Sequence, residues 1–386
     1  MRLLFVADGR SPIALNWIRY WIDRGDEVHL VSTFTCEQKL PLASLEYVPV
    51  AFSSVKGTSL RPISQNRNLL WGAASLGLRT RLRQWLGPLT INRAAQRLRK
   101  IIQHLHPDLV HAMRIPYEGM LAADAYTGVP LVVSVWGNDF TLHASSSPLM
   151  RHYTEWAVKI TNGLHADCYR DLRLAKQLGF PSDRPTLVVP GNGGIDRDVF
   201  FPPTKKMLPL VINPRGFRNY VCNDTFFQAI PIVLKRSPDV HFVCPSMAGE
   251  PQAEHWLKEL EVEQIVELLP FQTRLQMAEW YRKAQVLVSP STHDGTPNSL
   301  LEGMACGCFP VAGDIESLRE WITPGLNGLL IDPRDPQSLA EAILQALEDS
   351  DLRARAENHN TDLIAERAEY THCMRRAEAF YNQILS

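Results

Sequence analysis

Two long series of short apolar runs, each run followed by a turn or a helical stretch, constrain this chain more than any other feature. The first series comprises "RLLFVA", "EVHLVS", "DLVHA" and "PLVVSVW", with the helical stretch "SPIALNWIRYWIDRG" between its first two members. The second begins near residue 208 with "LPLVINP" and continues through "VHFVCP", "VELLP", "QVLVSPS", "FPVAG" and "GLLIDP". Runs of about five residues alternating with helical periods predict βαβ units, and hence parallel sheets. The connections carry Pro, Gly or Asp, as a doubly wound sheet requires. Gly25, just after an apolar-periodic run, reads as a helix stop.

Between the series, "PGNGGIDRDVFFPPTKKMLP" is dense in Gly and Pro and lacks a sustained apolar period, so it reads as an interdomain linker. From about residue 336 the pattern is helical to the end. This predicts an α/β chain with an N-terminal domain over 1–203, a second α/β/α domain over 204–365 and a C-terminal helix over 366–386. A chain of 386 residues is expected to need two cores.

Composition adds exclusions. With 45% hydrophobic residues, 21% charged residues and a net charge of −1, the chain is an ordinary globular one, and no nucleic-acid partner is expected. Its 7 cysteines are scattered and contain no C-x2-C pair, which argues against a disulfide framework or a zinc site and fits a reducing compartment. The opening "MRLLFVADGR" is too short an apolar run for a secretory or membrane-spanning segment, so a cytoplasmic location is expected. Charge is nonetheless uneven. Between residues 47 and 107 stand Lys56, Arg61, Arg67, Arg79, Arg81, Arg83, Arg93, Arg97, Arg99 and Lys100, with no Asp or Glu. With Trp71, Trp85 and Leu86 among them, the segment 56–100 is a candidate for peripheral contact with an anionic membrane face; a solvated helix face is the alternative.

The least generic stretch is "HDGTPNSLLEGMACG", residues 293–307. It follows the strand "QVLVSPS", so it lies at the sheet edge where open α/β sheets bind ligands. Gly295 permits close backbone approach, and the first turn of the following helix offers N–H groups to an anion. Ser299-x-x-Glu302 also matches a capping box. The apolar stripe Leu300, Leu301, Met304 and Ala305 puts Glu302 away from the core. Cap and ligand readings of Glu302 therefore both stand.

The whole pattern, a carboxylate, seven residues, a second carboxylate and then "GMACGCFPVAGDIESLREWI", resembles the signature of retaining glycosyltransferases of family 4. That family has the GT-B fold: two Rossmann-like domains facing across a cleft, with a last helix crossing back to domain one. Its first carboxylate is usually Glu; here it is Asp294, one methylene shorter. The resemblance implies a nucleotide-sugar donor, a hydroxyl acceptor such as a glycan, lipid or small metabolite, and no essential metal or other cofactor. It gives Glu302 the ribose hydroxyls, Asp294 hydroxyls of the donor sugar, and Gly295, Thr296, Pro297, Asn298, Ser299 and Leu300 the diphosphate.

"PGNGGIDRDVF" is similar to the family's linker. "INPRGFRNY" puts Arg215 where the family neutralises the leaving diphosphate, a role for a preorganised cation. The Lys that normally follows is missing, and Arg218 is the nearby cation able to replace it. Phe271, in "LLPFQ", stands at the family's nucleobase pocket. In domain one, "SVWGNDF" resembles the family's His-Gly-x-Asp segment with Trp136 in the His position, which leaves packing or N–H donation to Trp136. Asn138 and Asp139 complete that segment, with Asp139 suited to a sugar hydroxyl. Gly9, Arg10 and Ser11, in "ADGRSP", match a loop beneath acceptor and diphosphate. Asp196-Arg-Asp198 and Asp349-Ser-Asp351 look like metal-binding triplets but fall in the linker and at a helix end. The donor base is expected to be UDP, with GDP the alternative. A GT-B epimerase or hydrolase, and a non-catalytic partner that has kept only the fold, are the rival functions.

Overall fold

A computed structural model describes residues 1–51, 53, 84–204 and 209–386. They form two compact units, Met1–Gly193 with Met374–Ser386, and Gly194–Cys373. In the basic segment, Lys56, Arg61, Arg67, Trp71, Arg79, Arg81 and Arg83 lie outside the described residues.

The first unit contains β1 (Arg2–Ala7), β2 (Glu27–Ser32), β3 (Ser44–Tyr47), β4 (Leu109–Ala112), β5 (Leu131–Val135), β6 (Gly163–Ala166) and β7 (Thr186–Val188). They form one sheet in the order β3-β2-β1-β4-β5-β6-β7, parallel throughout. Successive side chains of a strand point to opposite faces. Leu4 and Val6 of β1 accordingly enter a core with Ile91, Leu98 and Met120, while Phe5 turns to His111, 5.7 Å between ring centres. Gly25 takes φ +93 after the helix Pro12–Asp23, the left-handed stop that its position suggests.

The chain's last residues complete the second face of this sheet. Tyr381 stacks on Trp21 at 4.3 Å and accepts a hydrogen bond from Trp17 Nε1 at 3.2 Å. Its hydroxyl also meets His111 Nδ1. From His111 Nε2 the polar chain continues to Ser134 Oγ at 2.7 Å, then to His165 Nδ1 at 2.8 Å, and from His165 Nε2 to the Val189 carbonyl at 3.1 Å. Burial holds both imidazoles neutral, His111 well below its ordinary value and His165 down to about 4.

The second unit contains β8 (Leu210–Ile212), β9 (His241–Cys244), β10 (Val266–Leu268), β11 (Val286–Ser289), β12 (Phe309–Gly313) and β13 (Leu329–Ile331). Their order is β10-β9-β8-β11-β12-β13, again parallel. Val286 and Val288 join one core with Phe226, Phe242 and Ile343; Leu287 joins the opposite core with Leu300, Leu301 and Met304. The division between units falls after Gly193 instead of residue 203. The Ile195 N–H donates to the Ala368 carbonyl at 2.7 Å and the Tyr370 N–H to the Ile195 carbonyl at 3.0 Å, which fastens the start of the Gly- and Pro-rich segment to the second unit. The helical stretch from residue 336 is three helices, Pro336–Glu348, Ser350–Arg367 and Tyr370–Leu385, and Met374 onward groups with the first unit. Among the described residues no helix is long and apolar enough to cross a membrane.

Candidate functional site

In the second sheet β8 has β9 on one side and β11 on the other, so the strand order reverses between β8 and β11. Loops leaving the carboxyl ends of two such neighbours diverge and open a crevice. Arg215 leaves β8 and Asp294 leaves β11. Arg215 is 6% exposed; its Nη2 donates to the Asp294 carboxylate, and its Nη1 to Ser299 Oγ at 2.9 Å. Its N–H donates to Asn213 Oδ1 at 3.2 Å, and Asn213 Nδ2 donates to Asn223 Oδ1 at 3.1 Å, which fixes the loop. Arg215 Nε and Asn298 Oδ1 are buried polar atoms with no hydrogen-bond partner among the described residues. A fixed buried cation with an unused donor is suited to an anion.

The helix Asn298–Ala305 begins after Pro297, whose carbonyl accepts from Leu300 N–H at 3.0 Å and Leu301 N–H at 3.3 Å. No side chain caps it. The capping-box reading of Ser299 and Glu302 is therefore corrected. Ser299 is already helical and its hydroxyl is held by Arg215, and Pro297 takes the cap position with φ −67, the value that its ring imposes. Nor does Glu302 stand free in solvent. The Tyr281 hydroxyl donates to its Oε2 at 3.5 Å, and burial pushes its carboxyl up to about 7 against the downward pull of Arg274 and Tyr281. Gly303 lets the helix sit close on β11, since a Cβ there would run into the Leu287 side chain. Gly307, φ +73, ends the turn.

Gly295 and Thr296 are buried, as is Leu300, whereas Asn298 and Ser299 are half-buried. The Ser317 hydroxyl donates to the Asp294 carbonyl at 2.7 Å, and Trp321 Nε1 donates to Thr296 Oγ1 at 2.9 Å. Arg218 is not drawn into this cluster: it is exposed, and its Nη1 donates to the Tyr220 hydroxyl at 2.9 Å. Phe271 is 78% exposed.

The candidates of the first unit likewise stand at carboxyl ends of strands. Gly9 follows β1; its N–H donates to Ser32 Oγ at 3.0 Å, and a Cβ would meet that oxygen at 2.9 Å. Arg10 pairs with Asp8 at 2.8 Å and lies 3.8 Å from the Phe34 ring centre. Ser11 is the cap of the helix Pro12–Asp23, accepting from the Ala14 N–H at 3.4 Å. The expectation for Asp139 needs correction. Its carboxylate is fully buried and accepts from Arg114 Nε at 2.9 Å, Trp136 N–H at 3.1 Å and Ile115 N–H at 3.3 Å, so it organises the loops instead of presenting lone pairs. Asn138 Oδ1 accepts from Arg114 Nη2 at 3.1 Å. Trp136 Nε1 is buried without a hydrogen-bond partner among the described residues, and its ring lies so near Gly191 that a Cβ there would be 3.1 Å away.

Sequence reasoning missed Arg114, Ser317, Trp321 and Tyr281. Arg114 carries the one signal that only coordinates reveal, a φ of 126 unusual for a non-glycine residue. It also missed Asp167, Cys168 and Asp171, whose ligand atoms lie within 4.8 Å of one another. Arg170 supplies a cation there, paired to Asp171 at 2.8 Å, while burial raises the Asp171 carboxyl to about 6. In the two Asp-x-Asp triplets, Asp196 Oδ1 accepts from the Asp198 N–H at 3.1 Å, and Asp349 caps the helix Ser350–Arg367 through the Leu352 N–H at 2.8 Å.

Comparison with known proteins fits this geometry. The family model of glycosyl transferases group 1 matches residues 216–349, and that of glycosyl transferase 4-like domains matches residues 78–167. The D-inositol 3-phosphate glycosyltransferase of Thermobispora bispora is 25% identical over 221 residues, 52% of this chain and 51% of that protein. Its counterpart in Paenarthrobacter aurescens is 25% identical over 249 residues, 58% of this chain and 60% of that protein. The chain thus spans little more than half the length of these curated relatives. Among solved structures, sucrose-phosphate synthase from Thermosynechococcus elongatus is similar with a TM-score of 0.75 and 12% identity, covering 100% of this chain and 99% of that one. Anabaena HepE in complex with UDP gives 0.71 and 15% identity, covering 99% and 100%. With two parallel α/β units, an Arg215–Asp294 crevice at the strand-order reversal and both family models matched in chain order, this chain belongs to glycosyltransferase family 4, the group 1 glycosyltransferases of GT-B fold.

Proposed function

We propose that this chain is a retaining hexosyltransferase that moves a sugar from a nucleotide-diphosphate sugar to a hydroxyl acceptor, without an essential metal. The observation that carries the reading is the buried Arg215 guanidinium, held by Asp294 and Ser299 with its Nε unused, at the start of the helix Asn298–Ala305. When the bond from sugar to phosphate breaks, a diphosphate with developing negative charge leaves. Arg215 and the N–H groups of the first helical turn stabilise it from fixed positions. Arg218, exposed beside them, swings from Tyr220 to the same phosphates in place of the family's Lys. Glu302 accepts hydrogen bonds from the ribose hydroxyl pair. Asp294 holds the sugar, Gly295 and Thr296 admit the phosphates to the backbone, and Phe271 covers the base. Retention follows from the family, by substitution on the face from which the leaving group departs.

UDP is favoured as the base because HepE, of the same fold, was crystallised with UDP and with UDP-glucose; GDP is the alternative. The loops carrying Gly9, Arg10, Trp136 and Asn138 are assigned to the acceptor, and the inositol phosphate of the relatives' name is the first acceptor to try. Incubation with a panel of UDP- and GDP-sugars tests the proposal. Free nucleotide that appears only with acceptor supports it; an isomerised donor identifies an epimerase, and no turnover with any pair identifies a non-catalytic partner.

The assigned location is cytoplasmic, with peripheral contact at the membrane face as its extension. Trp85, 56% exposed, and Leu89, 65% exposed, precede the exposed Arg93, Arg97 and Lys100 of the helix Ile91–Leu105 at intervals of three or four residues, one stripe of a helical surface. Co-sedimentation with anionic liposomes at moderate salt is expected, and equal binding to neutral vesicles would sink the electrostatic part.

A further inference from the structure

We propose that Ser317 and Trp321 are positioning residues that set the geometry of the donor loop His293–Pro297, and that Asn360 holds Trp321 in place from the helix Ser350–Arg367. The inference rests on the donor-binding reading of that loop. No regular secondary structure fixes residues 293–297, so tertiary contacts must hold them. Two buried side chains from the segment after β12 do so at alternate residues: Ser317 Oγ donates to the Asp294 carbonyl at 2.7 Å, and Trp321 Nε1 donates to Thr296 Oγ1 at 2.9 Å. The first fixes the backbone of the residue whose carboxylate holds Arg215. The second fixes the residue before Pro297, and so the point at which the helix starts.

Trp321 is itself braced. Its carbonyl accepts from Asn327 Nδ2 at 2.8 Å; the same nitrogen donates to Asn360 Oδ1 at 2.9 Å, and Asn360 Nδ2 donates back to the Asn327 carbonyl at 3.0 Å. Asn360 is fully buried and Asn327 is 1% exposed. Arg367 covers the indole at 4.3 Å and donates to the Glu320 carbonyl at 2.8 Å. Both amides use their nitrogens and oxygens in one closed network, which makes the brace specific to this arrangement. Ser317 and Trp321 reach the donor loop through Asp294 and Thr296.

A double-mutant cycle tests this. Trp321→Phe replaces the indole with a smaller aromatic ring that has no donor, Thr296→Val removes its acceptor, and Ser317→Ala removes one hydroxyl. Affinity for UDP and for GDP is measured by calorimetry, beside thermal unfolding without nucleotide. Each single change is expected to weaken nucleotide binding about 5- to 10-fold, the worth of one buried hydrogen bond. The Trp321→Phe/Thr296→Val pair should be no weaker than its worse member, because both changes remove the same contact. Affinities within twofold of wild type overturn the proposal, as does strict additivity of the pair. Should Trp321→Phe fail to fold, Ser317→Ala is judged alone on the same affinity criterion. A wild-type protein that binds neither nucleotide refutes the donor-binding reading itself, an outcome distinct from unchanged affinity in the variants.

Discussion

Arg215 and Asp294, 79 residues apart in sequence, meet as a buried ion pair at the point where the second sheet reverses its strand order. Burying two charges is worthwhile only if each completes the other, and removing one leaves the other stranded. Arg215→Ala is expected to cost about 3 kcal/mol of stability in the second unit, read by thermal or urea unfolding. Turnover of the donor sugar should fall about a hundredfold or more. Full activity in Arg215→Ala would remove the guanidinium from the mechanism.

Glu302 predicts a pH dependence. Its folded carboxyl, raised by burial from 4.5 to about 7, holds a proton that the unfolded chain has lost over that range. This group therefore favours folding at low pH, and its contribution is lost as pH rises from 4.5 through about 7. Glu302→Gln should flatten that part of the stability profile. Hydrogen bonds from ribose favour the ionised form, so wild-type affinity for a nucleotide-sugar should rise about tenfold between about pH 6 and 8. If affinity in Glu302→Gln keeps the same rise, another group is responsible.

Gly303 is a packing contact made by an absent side chain. Gly303→Ala would drive a methyl group into Leu287, and overpacking of this kind costs about 1 to 3 kcal/mol. Thermal unfolding should register the loss, together with weaker nucleotide binding as the helix start is pushed outward. An unchanged melting temperature would mean that Leu287 finds another rotamer.

Arg218 separates binding from stability. It is exposed, and its guanidinium donates to the neighbouring Tyr220 hydroxyl, so Arg218→Ala should alter stability by less than about 0.5 kcal/mol. Donor turnover should nevertheless drop about tenfold if it supplies the second cation. Undiminished turnover would leave Arg215 to neutralise the diphosphate without it.

What could be read from the chain follows from what is local. Strand periodicity exposed both sheets, and a continuous signature from Asp294 to Ile322 located the Asp294 loop beside its helix. The brace was illegible because Ser317, Trp321 and Asn360 reach partners 23, 25 and 33 residues away with no spacing that marks them. The capping alternative for Ser299 and Glu302 stayed open because the sequence neighbours match a capping box; the Arg215 that claims the Ser299 hydroxyl lies 84 residues away. Asp139 was given to a sugar because nothing near it in sequence reveals Arg114, 25 residues earlier, across two neighbouring strands. Short strands such as Ser44–Tyr47 and Thr186–Val188 carry too few apolar residues to register as periodic.

The Tyr381 contacts carry a consequence for the order in which this protein forms. Trp17, Trp21, His111 and the Ser134–His165 chain are all made early on the ribosome, but the residues that cover them come from Met374–Ser386. Every residue of the second unit is synthesised before that cover exists. The first unit to emerge is thus the last to close, and a nascent chain stopped after residue 193 should bind chaperones through the face that Tyr381 covers, the Trp21 indole above all.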